Sequence, residues 1–221
     1  MSGKYNISGG DGNIVDKDGR IMEISTVEYQ IKQVKKGKFV DSPGLKILKE
    51  DEVVIVVWLY CISGTGRWEG KEMKKVRQFD NPKGATREIV FLWGGPKSHE
   101  LELGEAALLA TDLKLGVIHN VAYGNEPEAF TKAWKGKLRI HSSINNNRPS
   151  LFVIQGHSET GGYLLEVNSN KRSLRKRNGF ILIDDEKKKF AVNSVKEVTE
   201  EIHHIIAQNF ERQLSLQYRG K

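Results

Sequence analysis

The sequence predicts an α+β protein made of two successive units, each with a β-sheet and one long helix. Residues 53–61 (VVIVVWLYC) form a continuous β-branched and aromatic run, which is typical of a strand buried on both faces. A helix is expected over residues 97–115, and a second helical pattern begins at Ser194. The strand pattern restarts after the polar stretch 142–149, which is the best candidate for a domain boundary.

The composition restricts the compartment and the class of partner. The chain has 221 residues, of which 38% are hydrophobic and 29% charged, so it can bury a core of ordinary size. Its net charge of +7 suits an acidic protein, an anionic lipid or a nucleic acid. The single cysteine, Cys61, excludes an internal disulfide and fits a reducing compartment. Residues 1–18 lack the apolar core of a signal peptide, and no apolar run is long enough to span a membrane. We therefore expect a cytoplasmic protein.

In the first half, the strand at 53–61 is expected to be followed by a loop over residues 63–87, because this stretch is polar and rich in glycine. The helix at 97–115 has acidic residues in its first turns, where they favour the helix dipole. Its centre, residues 106–110 (AALLA), is apolar on every side and predicts deep burial. Further strands are expected at 88–93, 117–121 and 138–141.

In the second half, strands are expected at 151–154, 163–167, 180–183 and 190–192. Ser194 and Glu197 form a capping box that opens the second helix. The apolar positions of this helix recur at helical spacing and predict one buried stripe: Val195, Val198, Ile202, Ile205, Ile206 and Phe210. Because strands follow the long helix only in the first half, the pattern indicates one complete and one truncated repeat of a small α+β unit.

The segment 88–141 resembles the gelsolin repeat. The matching features, in order, are Phe91-Leu92-Trp93 with Gly95, then Ser98, Glu102, Gly104 and residues 106–109, the turn 124–127, Phe130, and residues 136–138. The second half is similar at 151–156, 165–167, 174–177 and 180–182. The Leu-Arg-x-Arg turn at 174–177 and the opening Val27-Glu28-Tyr29 resemble the supervillin branch of the gelsolin/villin superfamily.

This resemblance implies tandem gelsolin-like (ADF/gelsolin-type) units, each a central mixed β-sheet flanked by one long and one short helix. The predicted organisation is a disordered segment at 1–25, a gelsolin-like repeat at 26–143 and a truncated second repeat at 144–221. Residues 189–192 depart from the family pattern, which has leucine, tryptophan and glycine at the end of this strand.

The family often holds one calcium ion in a repeat, and the matching positions are Asp51, Glu52 and Glu102. Carboxylate oxygens suit calcium. The family has glycine before aspartate where this chain has Asp51-Glu52, so a solvated turn is the alternative interpretation. The corresponding turn of the second repeat, 177–179, has no acidic residue and predicts no calcium there.

The resemblance also implies that the long helix contacts actin, with Glu100, Asp112 and Lys114 among its exposed positions. The alternative is a purely structural helix. The family function would be an actin-associated cytoskeletal scaffold, calcium-modulated, in the cytoplasm or at the membrane periphery. Severing, capping and bundling of filaments are not distinguished by the sequence.

A basic run lies in the second half at Lys171, Arg172, Arg175, Lys176 and Arg177. Clustered cations attract phosphoinositides and other anionic phospholipids, although such runs are usually solvated loops. The second functional hypothesis is accordingly a membrane-proximal adaptor that binds lipid or another protein and has lost actin binding. Nucleic acid is disfavoured because no aromatic residue interleaves the run.

No nucleotide loop or nucleophile elbow is present, so we expect a binding protein and not an enzyme.

Overall fold

The computed structural model describes residues 6–7, 14–15, 21–35, 37–42, 44–69, 72–78, 86–112, 114, 117–142, 149–170, 173, 179–184, 187, 189–193 and 201–219. These ranges contain two mixed β-sheets and three α-helices, so the α+β class predicted from the sequence is confirmed. None of the helices in the described ranges is long and apolar enough to cross a membrane.

In chain order the strands are β1 (Asn6–Ile7), β2 (Ile14–Val15), β3 (Ile21–Lys35), β4 (Lys38–Asp41), β5 (Ile47–Lys49), β6 (Val53–Glu69), β7 (Glu72–Gln78), β8 (Arg87–Gly94), β9 (Val117–Val121), β10 (Leu138–His141), β11 (Ser150–Gln155), β12 (Tyr163–Val167), β13 (Phe180–Asp184) and β14 (Lys189–Asn193). The helices are α1 (Glu100–Asp112), α2 (Glu128–Thr131) and α3 (Glu201–Arg219), and a 3-10 turn covers Lys132–Trp134.

The first sheet has eight strands. Its main order is β1-β2-β3-β6-β8-β9, while β4 pairs with β3 and β7 pairs with β6. The second sheet has six strands in the order β14-β13-β11-β12-β10-β5. Each sheet mixes directions, because β9 runs parallel to β8 and β10 runs parallel to both β12 and β5, whereas β3 and β11 pair antiparallel with their neighbours.

The chain divides into two compact units whose limits differ from the predicted repeats. The first unit is Met1–Pro43, Val53–Trp93 and Glu100–Val121, and the second is Gly44–Glu52, Gly94–His99 and Ala122–Lys221. The sequence predicted a boundary after residue 143. β5 and β10 instead belong to the second sheet, because β10 pairs along its length with β5 on one side and β12 on the other. Backbone pairing between strands distant in the sequence leaves no local signal that could reveal this arrangement.

The core of the first unit lies between its sheet and α1. Strand β6 is buried on both faces through residues 53–58, which confirms the predicted interior strand. The buried side chains that pack together in this core are Val34, Val53, Ile55, Val57, Val90, Leu92, Ala106 and Ala110.

The core of the second unit lies between its sheet and α3. The buried residues are Phe152, Ile154, Leu164, Ile181, Ile183, Ile206, Ala207, Phe210 and Leu214. The predicted stripe is confirmed at Ile206 and Phe210, and Ile202 packs against the same cluster, whereas Ile205 is half-buried and is not part of this cluster. Val195, Val198 and the capping box at Ser194 lie outside the described residues.

Two local expectations were wrong. Residues 63–87 were expected to be a loop, but β6 continues to Glu69 and pairs antiparallel with β7. Main-chain pairing links the two strands of this ribbon, and its register shifts between Thr65 and Gly66. The strand β3 similarly begins at Ile21, inside the stretch 1–25 that was expected to be disordered.

Candidate functional site

The helix α1 presents two alanines to the sheet. Ala106 and Ala110 are one turn apart and fully buried, and Leu103 and Leu109 pack partly against the same core. Small side chains at the contact let a helix backbone approach a sheet closely, because they occupy little of the space between them. The apolar centre of α1 was expected to be buried on every side. This expectation was wrong, because Leu108 in that stretch is exposed.

The opposite side of α1 exposes two leucines. Leu101 is 72% exposed and Leu108 is 66% exposed. They are seven residues apart, which is about two helical turns and about 10.5 Å along the axis, so they lie on the same side of the helix. Single exposed leucines are common on protein surfaces. Two on one helix face, with alanines on the buried face, form a surface suited to an apolar partner.

Acidic side chains surround these leucines. Glu100 and Glu102 occupy the first turn of α1, Glu105 follows between the leucines, and Asp112 ends the helix; all four are exposed. The last turn of α1 contains no basic residue. We call Leu101, Leu108 and these four acidic residues the α1 surface. It combines apolar anchors with negative charge, an arrangement that favours a partner with an apolar cleft and basic rim.

Lys114 lies just beyond α1. Its backbone adopts a left-handed conformation with φ of 52°, and its N–H donates to the carbonyl of Thr111 at 2.9 Å. This turn ends the helix by satisfying one of its final carbonyl groups. The structure thus places all three predicted contact residues, Glu100, Asp112 and Lys114, in exposed positions on or next to α1.

The predicted calcium ligands fall on two elements. Asp51 and Glu52 lie on the turn after β5, where Asp51 is exposed and the Glu52 carboxylate accepts a hydrogen bond from the Lys49 N–H at 3.2 Å. Glu102 is exposed on α1. Within the described ranges, no three His, Cys, Asp or Glu side chains group closely enough to hold a metal ion. Calcium binding stays a prediction.

A carboxylate that the sequence analysis did not select, Glu50, lies beside this turn and is buried. It accepts hydrogen bonds from Lys97 Nζ at 2.8 Å, from the Tyr123 hydroxyl at 3.2 Å and from the Ser142 hydroxyl at 3.2 Å. Burial opposes its charge, but the hydrogen bonds from Lys97, Ser142 and Tyr123 and the positive charge of Lys97 together lower the pKa of Glu50. The Glu50 carboxylate therefore holds together segments that are distant in the sequence.

The main chain at Glu50 leaves no room for a side chain at Gly95. A Cβ placed on Gly95 would lie 2.2 Å from the Glu50 carbonyl oxygen, a distance that no real contact allows. The Lys97 N–H also donates to this carbonyl at 2.8 Å. Gly95 is thus required for the close approach of two backbone segments, which is a packing role.

Two more buried glutamates complete this network. Glu126 accepts from the Tyr163 hydroxyl at 2.7 Å and from the Gly124 N–H at 2.9 Å. Glu166 accepts from the Ser142 N–H at 2.7 Å, and burial raises the pKa of its carboxyl. Burial and the neighbouring Glu126 charge raise the pKa of the Tyr163 phenol, which stays a hydrogen-bond donor. Each carboxylate has donors, so the network is suited to stabilising the second unit.

The remaining candidates do not form a site in the described ranges. The basic run at Lys171, Arg172, Arg175, Lys176 and Arg177 lies outside the described residues. Cys61 is buried in β6 with its Sγ 3.9 Å from the Thr86 hydroxyl, which is typical of a core cysteine.

Sequence reasoning missed the exposed leucines and the buried glutamates for different reasons. The signal for the leucines was present, because Ala106 and Ala110 share one face and Leu101 and Leu108 share another. For Glu50 no local signal exists, since its partners Lys97, Tyr123 and Ser142 come from three separate segments.

Comparison with known proteins supports the predicted relationship. No family model matches the chain. Over 192 residues the chain is 24% identical to supervillin from Bos taurus, and this match covers 81% of the chain and 8% of supervillin. The chain thus corresponds to a small part of that relative. A chain in the crystal structure of the Thorarchaeota 2DGel3/rabbit actin complex is also similar. The match covers 86% of the present chain and 87% of the matched chain, with 16% identity and a TM-score of 0.32. A TM-score of this size does not establish a common fold.

Proposed function

We propose that this chain is an actin-associated binding module of the cytoskeleton, and that the α1 surface contacts actin. The observation that carries the proposal is the pair of leucines, Leu101 and Leu108, exposed two turns apart among carboxylates. Burying a leucine side chain in a partner contributes about 1.5–3 kcal/mol, so these two anchors could supply much of the affinity of a moderate complex.

Three further points support this proposal. The sequence resembles the gelsolin/villin superfamily over residues 26–212, and the likeness to supervillin covers most of the chain. In this superfamily the long helix of a repeat is the expected actin contact. The α1 surface has the exposed leucines of a binding surface, and the buried glutamate network supports the fold. We therefore propose that the module binds its partner without catalysing a reaction.

Two assays test this proposal. Cosedimentation measures binding to filamentous actin, and titration with the chain, read out by fluorescence anisotropy, measures binding to monomeric actin. We expect binding by the wild-type chain and about a tenfold or greater loss for Leu101→Asp/Leu108→Asp, because each substitution replaces an apolar anchor with a charge. The matched control is Leu216→Asp, since Leu216 is a similarly exposed leucine (77%) on α3. Equal binding by wild type and the α1 double variant would contradict the proposed contact, and no binding by the wild type would contradict the function.

Modulation by calcium is a separate proposal that rests on the family resemblance, in which Asp51, Glu52 and Glu102 are the positions that match the family's ligands. Its support is the resemblance and the exposure of Asp51 and Glu102. Calorimetry should detect calcium binding by the wild type and none by Glu102→Gln, because a carboxylate becomes a neutral amide. Glu105→Gln on the same helix is the control. Unchanged affinity in Glu102→Gln would remove this residue from the site.

Liposome pull-down addresses the second hypothesis. A chain that binds phosphoinositide vesicles but neither form of actin would be a membrane-proximal adaptor, and the actin proposal would be wrong.

A further inference from the structure

We propose that the second unit carries a separate docking groove for an acidic protein segment with apolar side chains. The groove has a volume of about 750 Å³ and is bordered by the residues before and within β5, the start of β10 and the last turns of α3. It lies within the second unit and is distinct from the α1 surface. The inference therefore goes beyond the proposed contact with actin and does not depend on it.

One border of the groove is positively charged. Lys46, Lys137 and Arg139 line it, and among its described lining residues none is acidic. Lys46 and Lys137 are exposed, and Arg139 is half-buried. The ion pairs found in the described part of the chain include none of these three cations. Three cations in one groove, none of them in an ion pair with another described residue, favour an anionic occupant.

Hydrogen bonds hold the backbone segments that carry these cations. The Arg139 N–H donates to the Lys46 carbonyl at 2.9 Å, and the Arg139 guanidinium donates to Gln217 Oε1 at 3.3 Å. Gln213 donates to the carbonyl of Gly136 at 3.1 Å, directly before Lys137. The groove is thus largely formed before any partner arrives, which reduces the entropy lost on binding.

Gly136 allows the tight turn that places Lys137 at the border. Its φ is 71°, and a Cβ there would lie 2.5 Å from the Glu159 carbonyl oxygen. Only glycine combines this left-handed backbone with such a close approach.

Apolar side chains also line the groove. Phe210 and Leu214 line it while remaining part of the core, each only 1% exposed. Leu216 lines it as well and is 77% exposed. An occupant with an apolar side chain against Leu216 would remove this leucine from water, which favours binding.

A protein segment fits the groove better than a lipid headgroup. Gln213 and Gln217 also line the groove, and an amide side chain offers both donors and acceptors. Peptide groups need both, whereas a phosphate only accepts hydrogen bonds. The three cations also come from two chain segments, a spread that suits several carboxylates along an extended or helical segment.

The experiment uses the full chain and a fluorescein-labelled short peptide of alternating leucine and glutamate, followed by fluorescence anisotropy. We expect the peptide to bind, and the charge-reversed variant Lys46→Glu/Lys137→Glu to bind it about tenfold or more weakly, because it turns attraction into repulsion. Leu216→Asp should weaken binding as well. Lys189→Glu, an exposed lysine on β14 outside the groove, is the matched control and should bind as the wild type does.

Two further peptides test whether both the negative charge and the apolar side chains are needed for binding. A peptide of leucine and lysine, and a peptide of serine and glutamate, should both bind weakly or not at all. Equal binding of the leucine–glutamate peptide by wild type and Lys46→Glu/Lys137→Glu would overturn the proposal. Binding of phosphatidylserine vesicles through Lys46 and Lys137 without peptide binding would also overturn it, since the occupant would then be a membrane surface. The Leu101→Asp/Leu108→Asp variant should bind the peptide as the wild type does. Failure of the actin proposal can therefore be distinguished from failure of the groove proposal.

Discussion

The helices α1 and α3 differ in the size of the apolar side chains that they bury fully against their sheets. In α1 the fully buried contacts with the sheet are alanines, while Leu101 and Leu108 face water. In α3 the large residues Phe210 and Leu214 are buried against the second sheet. Both helices carry an apolar face, but only α3 uses its large apolar residues mainly for folding.

This difference identifies which helix face is available to a partner. Burying a large side chain stabilises the fold by about 1.5–3 kcal/mol, and α3 gains this contribution from several residues. Leu101 and Leu108 give little of it, since most of their surface remains exposed. Substitutions on the two helices should therefore separate stability from binding, and the expected effects differ most at the centre of α3.

The largest effect is expected for Phe210→Ala. Phe210 is 1% exposed in the core of the second unit, and removing a buried phenyl ring costs about 3–5 kcal/mol through lost transfer free energy and the cavity left behind. Urea denaturation should show this loss. Leu216→Ala, on the same helix but exposed, should change the free energy of unfolding by less than about 0.5 kcal/mol. Similar losses in the two variants would show that α3 does not pack as described.

A smaller effect is expected for Ala110→Leu on α1. Ala110 is fully buried against the sheet, so added methylene groups should force the helix away and cost about 1–3 kcal/mol. Leu108→Ala is the control, because its side chain is exposed and should affect binding to actin more than stability. Thermal unfolding of both variants measures the difference. An Ala110→Leu chain as stable as the wild type would mean that the close packing of α1 is not required.

The sequence predicted the elements that have strong periodicity. Their patterns depend only on neighbouring residues, so a short window of sequence is enough to recognise them. These elements are the strand within β6, the strands β9 to β13 and the apolar stripe of α3. The ribbon of β6 and β7 was missed because main-chain pairing stabilises it and its side chains are mostly polar. Propensity reasoning gives such pairing little weight.

The candidate sites were predicted only in part. The family resemblance selected α1 and its exposed acidic residues, but the two leucines emerged only when the buried face was known. Glu50 and the cations Lys46, Lys137 and Arg139 depend on contacts between distant segments. A single sequence without such contacts shows only separate charged residues, which are ordinarily solvated.

The smallest effect concerns carboxylates and extends the comparison from apolar to acidic side chains. The acidic residues of α1 are exposed, whereas the second unit buries Glu50 and Glu166. The pKa of Glu50 is lowered from its ordinary value of 4.5, so its stabilising contribution is present above pH 4.5 and is lost as the pH falls through the folded-state pKa. The pKa of Glu166 is raised from 4.5, so its contribution is present below pH 4.5 and is lost as the pH rises through the folded-state pKa.

The variants Glu50→Gln and Glu166→Gln should therefore respond to pH in opposite directions. Urea denaturation from about pH 3 to about pH 7 measures the stability of each variant relative to the wild type. Glu50→Gln should lose relative stability as the pH rises towards 4.5, because only the wild type gains the ionised, hydrogen-bonded carboxylate. Glu166→Gln should gain relative stability as the pH rises above 4.5, because the wild type must then ionise a buried group. Glu100→Gln on α1 is the exposed control and should follow the wild type more closely than either. Parallel curves for Glu50→Gln and Glu166→Gln would show that the two buried carboxyls do not differ in environment, and would contradict the network built around Glu50.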